Sequence, residues 1–186
     1  MGDIYILMLV ALTVLAVIDL VVGVSNDAVN FLNSAIGSKA ISVRNIMIIA
    51  SLGVFFGAIT SSGMMEVARK GIFNPNMFMF QDIMFIFMAV MITDILLLDI
   101  FNSLGMPTST TVSIVFELLG AAVAISLLKI SANDSQSMDA IWEYINHETA
   151  IKIISGILLS VVVAFSVGAI VQFVSRLIYS FNFEKR

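Results

Sequence analysis

The chain has 186 residues, of which 60% are hydrophobic and only 12% are charged, and its mean hydropathy is +1.06. Soluble domains carry about a quarter charged residues, so a chain this apolar is expected to be an all-α integral membrane protein that uses lipid as part of its solvent. The absence of cysteine excludes disulfides, the single histidine argues against a zinc or haem site, and a net charge of −4 without a basic run argues against nucleic acid as a partner.

Five apolar segments are long enough to cross a hydrocarbon core about 30 Å thick, which takes about 20 helical residues. These predicted spans cover residues 4–22, 46–62, 83–101, 108–128 and 151–177. The first lacks a basic leader and a cleavage motif, so we interpret it as a retained helix and not as a signal peptide. The last is long and is expected to tilt or to extend beyond the lipid.

A polar stretch, GVSNDAVNFLNSAIGS at 23–38, directly follows the first predicted span. It is too short and too polar to cross the membrane in contact with lipid. Backbone that is irregular at membrane depth survives only where protein or water covers it. We therefore predict a re-entrant or broken helix that lines a cavity.

Two loops outside the membrane complete a single predicted membrane domain, 1–186. Residues 66–82 contain the turn signal GIFNPN, and residues 131–148 are acidic and predict a short surface helix around Trp142 and Tyr144. The chain is expected in a cell (inner or plasma) membrane. One side of the predicted spans carries one more basic residue than the other, which favours an outside N-terminus. The basic residues divide between the two sides as Lys39, Arg44, Arg176, Lys185 and Arg186 against Arg69, Lys70, Lys129 and Lys152.

Four acidic residues lie inside the predicted spans, where a charge is costly and usually faces a pathway or a partner. Asp94 lies mid-span, which predicts a buried functional or packing partner. Asp19 and Asp99 lie near span ends, where solvation by interfacial water is an equally good explanation. Glu117 lies mid-span, and the structural alternative for it is a protonated hydrogen bond between helices.

Asp27 differs from these because amides accompany it. Asn26 precedes it, and Asn30 and Asn33 follow at spacings that share a helical face with Asn26 or Asp27. Carboxylate, amide and carbonyl oxygens suit Na⁺ or H⁺ better than soft metals. We therefore predict a cation site at Asp27 with Asn26 and Asn30, and Na⁺ is the only metal ion expected there. The structural alternative is a polar patch that holds helices together.

A second polar segment, NSLGMPTSTTVS at 102–113, begins the fourth predicted span. Thr108, Ser109, Thr110 and Thr111 add four hydroxyls to the free N–H groups and the positive end of a helix, which together form an anion site without lysine. N-capping, the structural alternative, takes only one hydroxyl. A cation site and an anion site beside membrane spans indicate cation-coupled oxyanion transport.

The two polar segments carry a resemblance to a known family. SNDAVNFLNSAIGS resembles the signature G-A-N-D-V-A-N-A-F-G-T-S-V-G-S of inorganic phosphate transporters of the PiT type, and MPTSTTVSIVFELLG resembles their P-V-S-T-T-H-S-I-V-G-x-x-L-G. The motifs occur in the family's order, and the similarity covers most of residues 4–128. The resemblance implies a secondary transporter, not an enzyme, that moves phosphate with Na⁺ or H⁺ and needs no cofactor beyond that ion.

The resemblance also implies roles for individual residues. Asn26, Asp27 and Asn30 match the polar core that would serve cation and phosphate binding. The positions that match S-T-T, and would hold phosphate oxygens, are Ser109, Thr110 and Thr111. Two departures concern coupling: the sequence has Val112 where many members have histidine, and Val54 where animal members have a functional glutamate. The acidic residues that are candidates to compensate are Asp94, Asp99 and Glu117.

The family carries both motifs twice, in halves of inverted topology, whereas this chain shows one copy. Five crossings would invert a following repeat, as inverted-repeat transporters require. We therefore expect one half of a transporter, completed by a second half or by a homo-oligomer. One alternative is a membrane assembly or receptor domain that retains the fold without transport. Another, an intramembrane aspartyl protease using Asp94 or Asp99, lacks a G-x-G-D motif and clearly facing carboxylates.

Overall fold

The computed structural model describes residues 2–61, 71–106, 108–132 and 137–180. Five of its helices are long and apolar enough to cross a membrane, which confirms the predicted all-α membrane class. In chain order the helices are α1 (Gly2–Ser38), α2 (Val43–Thr60), α3 (Phe80–Leu104), α4 (Thr110–Ser131), the short α5 (Ile141–Tyr144) and α6 (His147–Tyr179). Parts of several predictions lie outside the described residues: Ser62, Arg69, Lys70, Lys185, Arg186, and the loop positions 66–70 and 133–136.

The first helix differs from the prediction because α1 continues without a break through residues 23–38. The predicted re-entrant or broken helix is therefore wrong as a separate element. Asn, Ser and Gly each cost at most about 1 kcal/mol in a helix interior, and contacts between the polar side chains and neighbouring helices offset that cost. At 37 residues, α1 is about 55 Å long, which exceeds the thickness of the hydrocarbon core.

The core of the bundle lies along α3, which packs against both α1 and α4. The buried side chains of α3 recur every two to four residues and form one face: Met84, Ile86, Val90, Asp94 and Leu98. Those of α4 recur every three or four residues: Val115, Leu118, Ala122, Ser126 and Ile130. Helical periodicity of apolar residues explains this contact, except that an aspartate occupies the middle of the α3 face.

The two predicted extramembrane loops pack against each other through backbone and aromatic contacts. Phe73 pairs with Ile145 in an isolated antiparallel bridge, and the Phe78 ring lies edge-on to the Tyr144 ring with centroids 5.5 Å apart. The predicted short helix around Trp142 is confirmed as α5. Tyr144, however, is buried, because its ring fills the space beside Phe78.

One ion pair connects the start of α3 to the end of α4. Lys129 Nζ lies 2.7 Å from Asp82 Oδ2 and also donates to the carbonyl oxygen of Met77 at 3.2 Å. Because α3 and α4 are consecutive helices, the ion pair lies at the end of the helix pair opposite to the turn that connects them.

The chain divides into two compact units, Met1–His147 and Glu148–Arg186. In the first unit, α2 buries only Ile46 among its described side chains. In the second, α6 buries none of the residues of its most apolar window. Apolar side chains left uncovered on both units are what lipid or a partner is expected to cover.

Candidate functional site

The N-terminus of α4 lies beside the polar stretch of α1. The Thr110 hydroxyl donates to Asp27 Oδ2 at 2.9 Å, and the Asn30 amide donates to the carbonyl oxygen of Thr108 at 3.2 Å. Gly23 lies opposite Thr110: a Cβ added at Gly23 would be 3.6 Å from Thr110 Cγ2, an ordinary contact distance. The structure thus brings the two polar segments of the sequence into direct contact.

Asn26 joins three parts of the bundle and has no exposed surface. Its Nδ2 donates to Asn102 Oδ1 at 2.8 Å, and its Oδ1 accepts the backbone N–H of Thr108 at 3.2 Å. The amide is therefore occupied at both ends, which explains how a fully buried polar side chain is tolerated. Sequence analysis assigned no role to Asn102. The available signal was its position as the first polar residue of the 102–113 segment.

Ser109 caps α4 in the way that the structural alternative describes. Its Oγ accepts the N–H of Val112 at 3.4 Å, and its carbonyl accepts the N–H of Ser113 at 3.0 Å. Capping leaves the N–H groups of Thr110 and Thr111 without an intrahelical acceptor. The helix end therefore keeps two N–H donors, together with the positive end of its dipole.

The N-terminus of α4 carries the positive end of the helix dipole, and the Asp27 side chain beside it carries a negative charge when ionised. The Asp27 carboxylate faces the N-terminus of α4, which stabilises it, but it would repel a second anion nearby. With Asp27 ionised, an anion can bind here at low cost only if a cation offsets that carboxylate, because like charges interact strongly away from bulk water. The arrangement can therefore bind a cation and an anion together better than either alone.

Other predicted positions lie elsewhere. Asn33 and Asp99 are exposed. Val54 lines an apolar cavity of about 490 Å³ between α1 and α2, with Phe31 and Leu32 among its neighbours. The surroundings of Val54 are therefore apolar, as its side chain is.

The remaining acidic residues of the spans lie deeper along the bundle. Asp94 is 2% exposed, and Asp19 and Glu117 are half-buried. The Ser113 hydroxyl donates to Glu117 Oε1 at 2.8 Å. Within the described part of the chain, no group of three or more His, Cys, Asp or Glu side chains is arranged to hold a metal ion.

The chain is similar to proteins whose names describe phosphate transporters or permeases. The model of the phosphate transporter family matches residues 23–185. The chain is 26% identical over 154 residues to a Bacillus subtilis protein named "Probable low-affinity inorganic phosphate transporter", covering 83% of this chain and 41% of that protein. It is 32% identical over 108 residues to a Pyrococcus furiosus protein whose name describes a phosphate permease, covering 57% of this chain and 26% of that protein.

A Helicobacter pylori protein, also named as a phosphate permease, is 34% identical over 105 residues, which is 54% of this chain and 19% of that protein. The chain therefore spans less than half the length of these curated relatives. No solved structure shows a significant match to it.

Proposed function

The chain belongs to the phosphate transporter family, and from this membership we propose that it supplies one repeat of a secondary transporter that moves inorganic phosphate together with Na⁺ or H⁺. The observation that carries the proposal is the contact between Asp27 and the N-terminus of α4, made by the Thr110 hydroxyl at 2.9 Å. It joins a carboxylate suited to a cation to a helix end suited to an oxyanion.

Phosphate would bind at the start of α4. The N–H groups of Thr110 and Thr111 point out of the helix end, and the hydroxyls of Thr108, Ser109 and Thr111 are further donors. Asn26 was predicted to contact phosphate, but both ends of its amide already have partners. We therefore propose that Asn26 positions the Thr108 backbone and reaches phosphate only if one of those bonds opens.

The coupling cation would bind at Asp27, with Asn30 beside it. Asp27 supplies the charge, and the side-chain carbonyl of Asn30 supplies a neutral oxygen of the kind that hard cations prefer. A bound cation neutralises Asp27 and so removes the repulsion that opposes phosphate at the helix end. Coupling then follows from charge, because each ion alone leaves an uncompensated charge in a poorly solvated site.

A second half would complete the transporter. The chain covers 41% of its Bacillus subtilis relative, and its five candidate spans would invert a repeat that followed them. We propose that this second half comes from further sequence, from a separate chain or from another copy of this one.

Transport is tested by phosphate uptake into proteoliposomes that contain the purified full chain, with an inward gradient of Na⁺ or of protons. Gradient-driven uptake is expected, and Asp27→Asn and Ser109→Ala should each reduce it at least about tenfold, since losing an interaction with a charged group costs about 1.5–3 kcal/mol. The matched control is Asp99→Asn, which removes an exposed carboxylate from α3 and should leave uptake unchanged.

Phosphate binding to the same preparation separates the remaining outcomes. Binding that depends on the cation and on Asp27, but without uptake, would mean that the second half is missing. The absence of both binding and uptake would contradict the proposal. It would favour a membrane assembly or receptor domain that retains the fold.

A further inference from the structure

A second polar cluster lies inside the bundle. It consists of Asp19 on α1, Asp94 on α3 and Glu117 on α4, and we call it the carboxyl cluster. Asp94 is 2% exposed, and the side chains of Asp19 and Glu117 lie near enough to interact with it. Along the helices, the cluster lies about 10–12 Å from Asp27 and from the start of α4. It is therefore a separate layer of the bundle and not part of the candidate phosphate site.

The oxygens of this cluster lack donors. Asp19 Oδ1, Asp94 Oδ1 and Glu117 Oε2 are shielded from solvent and have no hydrogen-bond partner among the described residues. The Ser113 hydroxyl serves only the other oxygen of Glu117. A buried acceptor left without a donor costs about 1–3 kcal/mol, and more if it is charged. These three oxygens, one of them on buried Asp94 itself, leave the cluster short of hydrogen-bond donors.

The three helices that carry these carboxylates place no positive side chain next to them. The sequences of α1 and α3 contain no Lys, Arg or His, and their other titratable acids, on the same helices, are Asp3, Asp27, Asp82 and Asp99. The single basic residue of α4, Lys129, binds Asp82 at 2.7 Å. Lys129 lies about 18 Å along the helix from Glu117. If Asp19 and Glu117 were both ionised beside an ionised Asp94, their charges would repel that of Asp94 across a medium that screens them poorly.

We propose that the carboxyl cluster binds an exchangeable proton, shared between Asp94 and its two neighbours. A protonated carboxyl group donates its O–H to the carboxylate oxygen opposite, which relieves the repulsion and supplies a missing donor in one step. Closely paired carboxyl groups hold a proton for this reason. A proton is favoured over a metal ion because the acidic side chains in the described residues do not converge as metal ligands.

A cavity beside Glu117 could hold water through which the proton would exchange. Glu117 lines a cavity of about 250 Å³ between α3 and α4, together with Thr93. At about 30 Å³ per molecule, that volume accommodates several waters. Proton binding itself does not depend on phosphate. Only a role of the cluster in coupling would rest on the transport function proposed above, with the proton as the coupling ion.

The test is infrared spectroscopy of the full chain in lipid at pH 7, read at the C=O stretch of a protonated carboxylic acid. The wild type is expected to show this band, and the band should shift in D₂O because the proton exchanges. Asp94→Asn should abolish the cluster's band, and Asp19→Asn and Glu117→Gln should shift or halve it. Asp99→Asn, which removes an exposed carboxyl group from the same helix as Asp94, should leave the band unchanged.

Each result decides the proposal without a phosphate assay. No band in the wild type, or a band unchanged in all three cluster variants, would overturn it. If Asp94→Asn fails to fold, the Asp19 and Glu117 variants still decide. Replacing choline chloride by NaCl at the same pH adds an arm: loss of the band would show that Na⁺ takes the site in place of the proton and would overturn the assignment, whereas an unchanged band supports it.

Discussion

Asn26 illustrates how one buried amide connects three segments. Its two hydrogen bonds link α1 to Asn102 at the end of α3 and to Thr108 before α4. The hydroxyl of Thr110 adds a bond from α4 to Asp27. Polar groups that are satisfied in this way fix how the helices are placed, because each wrong placement would leave a buried donor or acceptor without a partner.

Replacing this amide should therefore destabilise the fold. Asn26→Ala leaves the Thr108 N–H and Asn102 Oδ1 without their partner and is expected to lower the free energy of unfolding by about 1–3 kcal/mol. Thermal or denaturant unfolding in detergent measures it. Asn33→Ala, which removes an exposed amide from the same helix, should change stability by less than about 0.5 kcal/mol. Equal losses in the two variants would contradict the structural role of Asn26.

The acidic residues show that the same side chain has different surroundings at different positions. Asp99 and Asp94 are five residues apart on α3, yet Asp99 is exposed and Asp94 is buried. Five residues turn a helix by about 140° beyond one full turn, so the two carboxyl groups point to different sides. Only Asp94 faces the bundle, and it is the residue around which the proposed proton site is built.

The turn between α3 and α4 determines where the candidate phosphate site lies. Gly105 ends α3 in the left-handed conformation, with φ of +67°, and the N–H of Met106 bonds back to the carbonyl of Phe101 at 2.9 Å. This C-cap lets the chain reverse within a few residues. The N-terminus of α4 consequently lies at the same end of the bundle as the polar part of α1.

A substitution at this turn tests its importance. Gly105→Ala is expected to cost about 1–2 kcal/mol, because an L side chain is strained in the left-handed conformation whatever space surrounds it. Gly57→Ala, in the interior of α2 with no atom within 4 Å of the added Cβ, should instead be neutral or stabilise by up to about 1 kcal/mol. Unfolding midpoints of the two variants in detergent give the comparison. Equal effects would show that the turn is not constrained by its backbone.

At the scale of the whole molecule, the order of the long helices predicts which loops share a side of the membrane. Three of them, α2, α3 and α4, separate Ser42 from Ser137. Both serines are exposed, and the chain has no cysteine of its own. Single cysteines at these positions should therefore react with a membrane-impermeant thiol reagent from opposite sides.

Labelling of intact cells and of inverted vesicles measures this, with the cysteine-free wild type as the control. Reaction of both cysteines from the same side would contradict an odd number of crossings between them. The experiment also decides orientation: the predicted outside N-terminus requires Ser42→Cys to react from the cytoplasmic side.

The membrane class, the approximate positions of the five spans and the two polar segments that carry the family resemblance could all be predicted from the sequence. These follow from local properties, since twenty apolar residues in a row require lipid wherever the rest of the chain lies. Apart from the end of α1, the helix ends differ from the predicted span ends by a few residues in either direction, because hydropathy records preference for lipid and not where the backbone leaves the helix. The continuity of α1 was missed for a related reason: polarity indicates what must be solvated or paired, not whether the backbone leaves the helix.

Which polar groups contact one another depends on how the helices pack. Asn26 and Asn102 are 76 residues apart in sequence, and Asp27 and Thr110 are 83 apart. Their contact depends on the rotation of each helix and on the packing of α3 against α1 and α4. The same packing places Asp19 near Asp94. From the sequence, solvation of Asp19 by interfacial water was an equally good explanation of its position. Hydropathy cannot supply this information, because it does not record the direction in which a side chain points once helices pack.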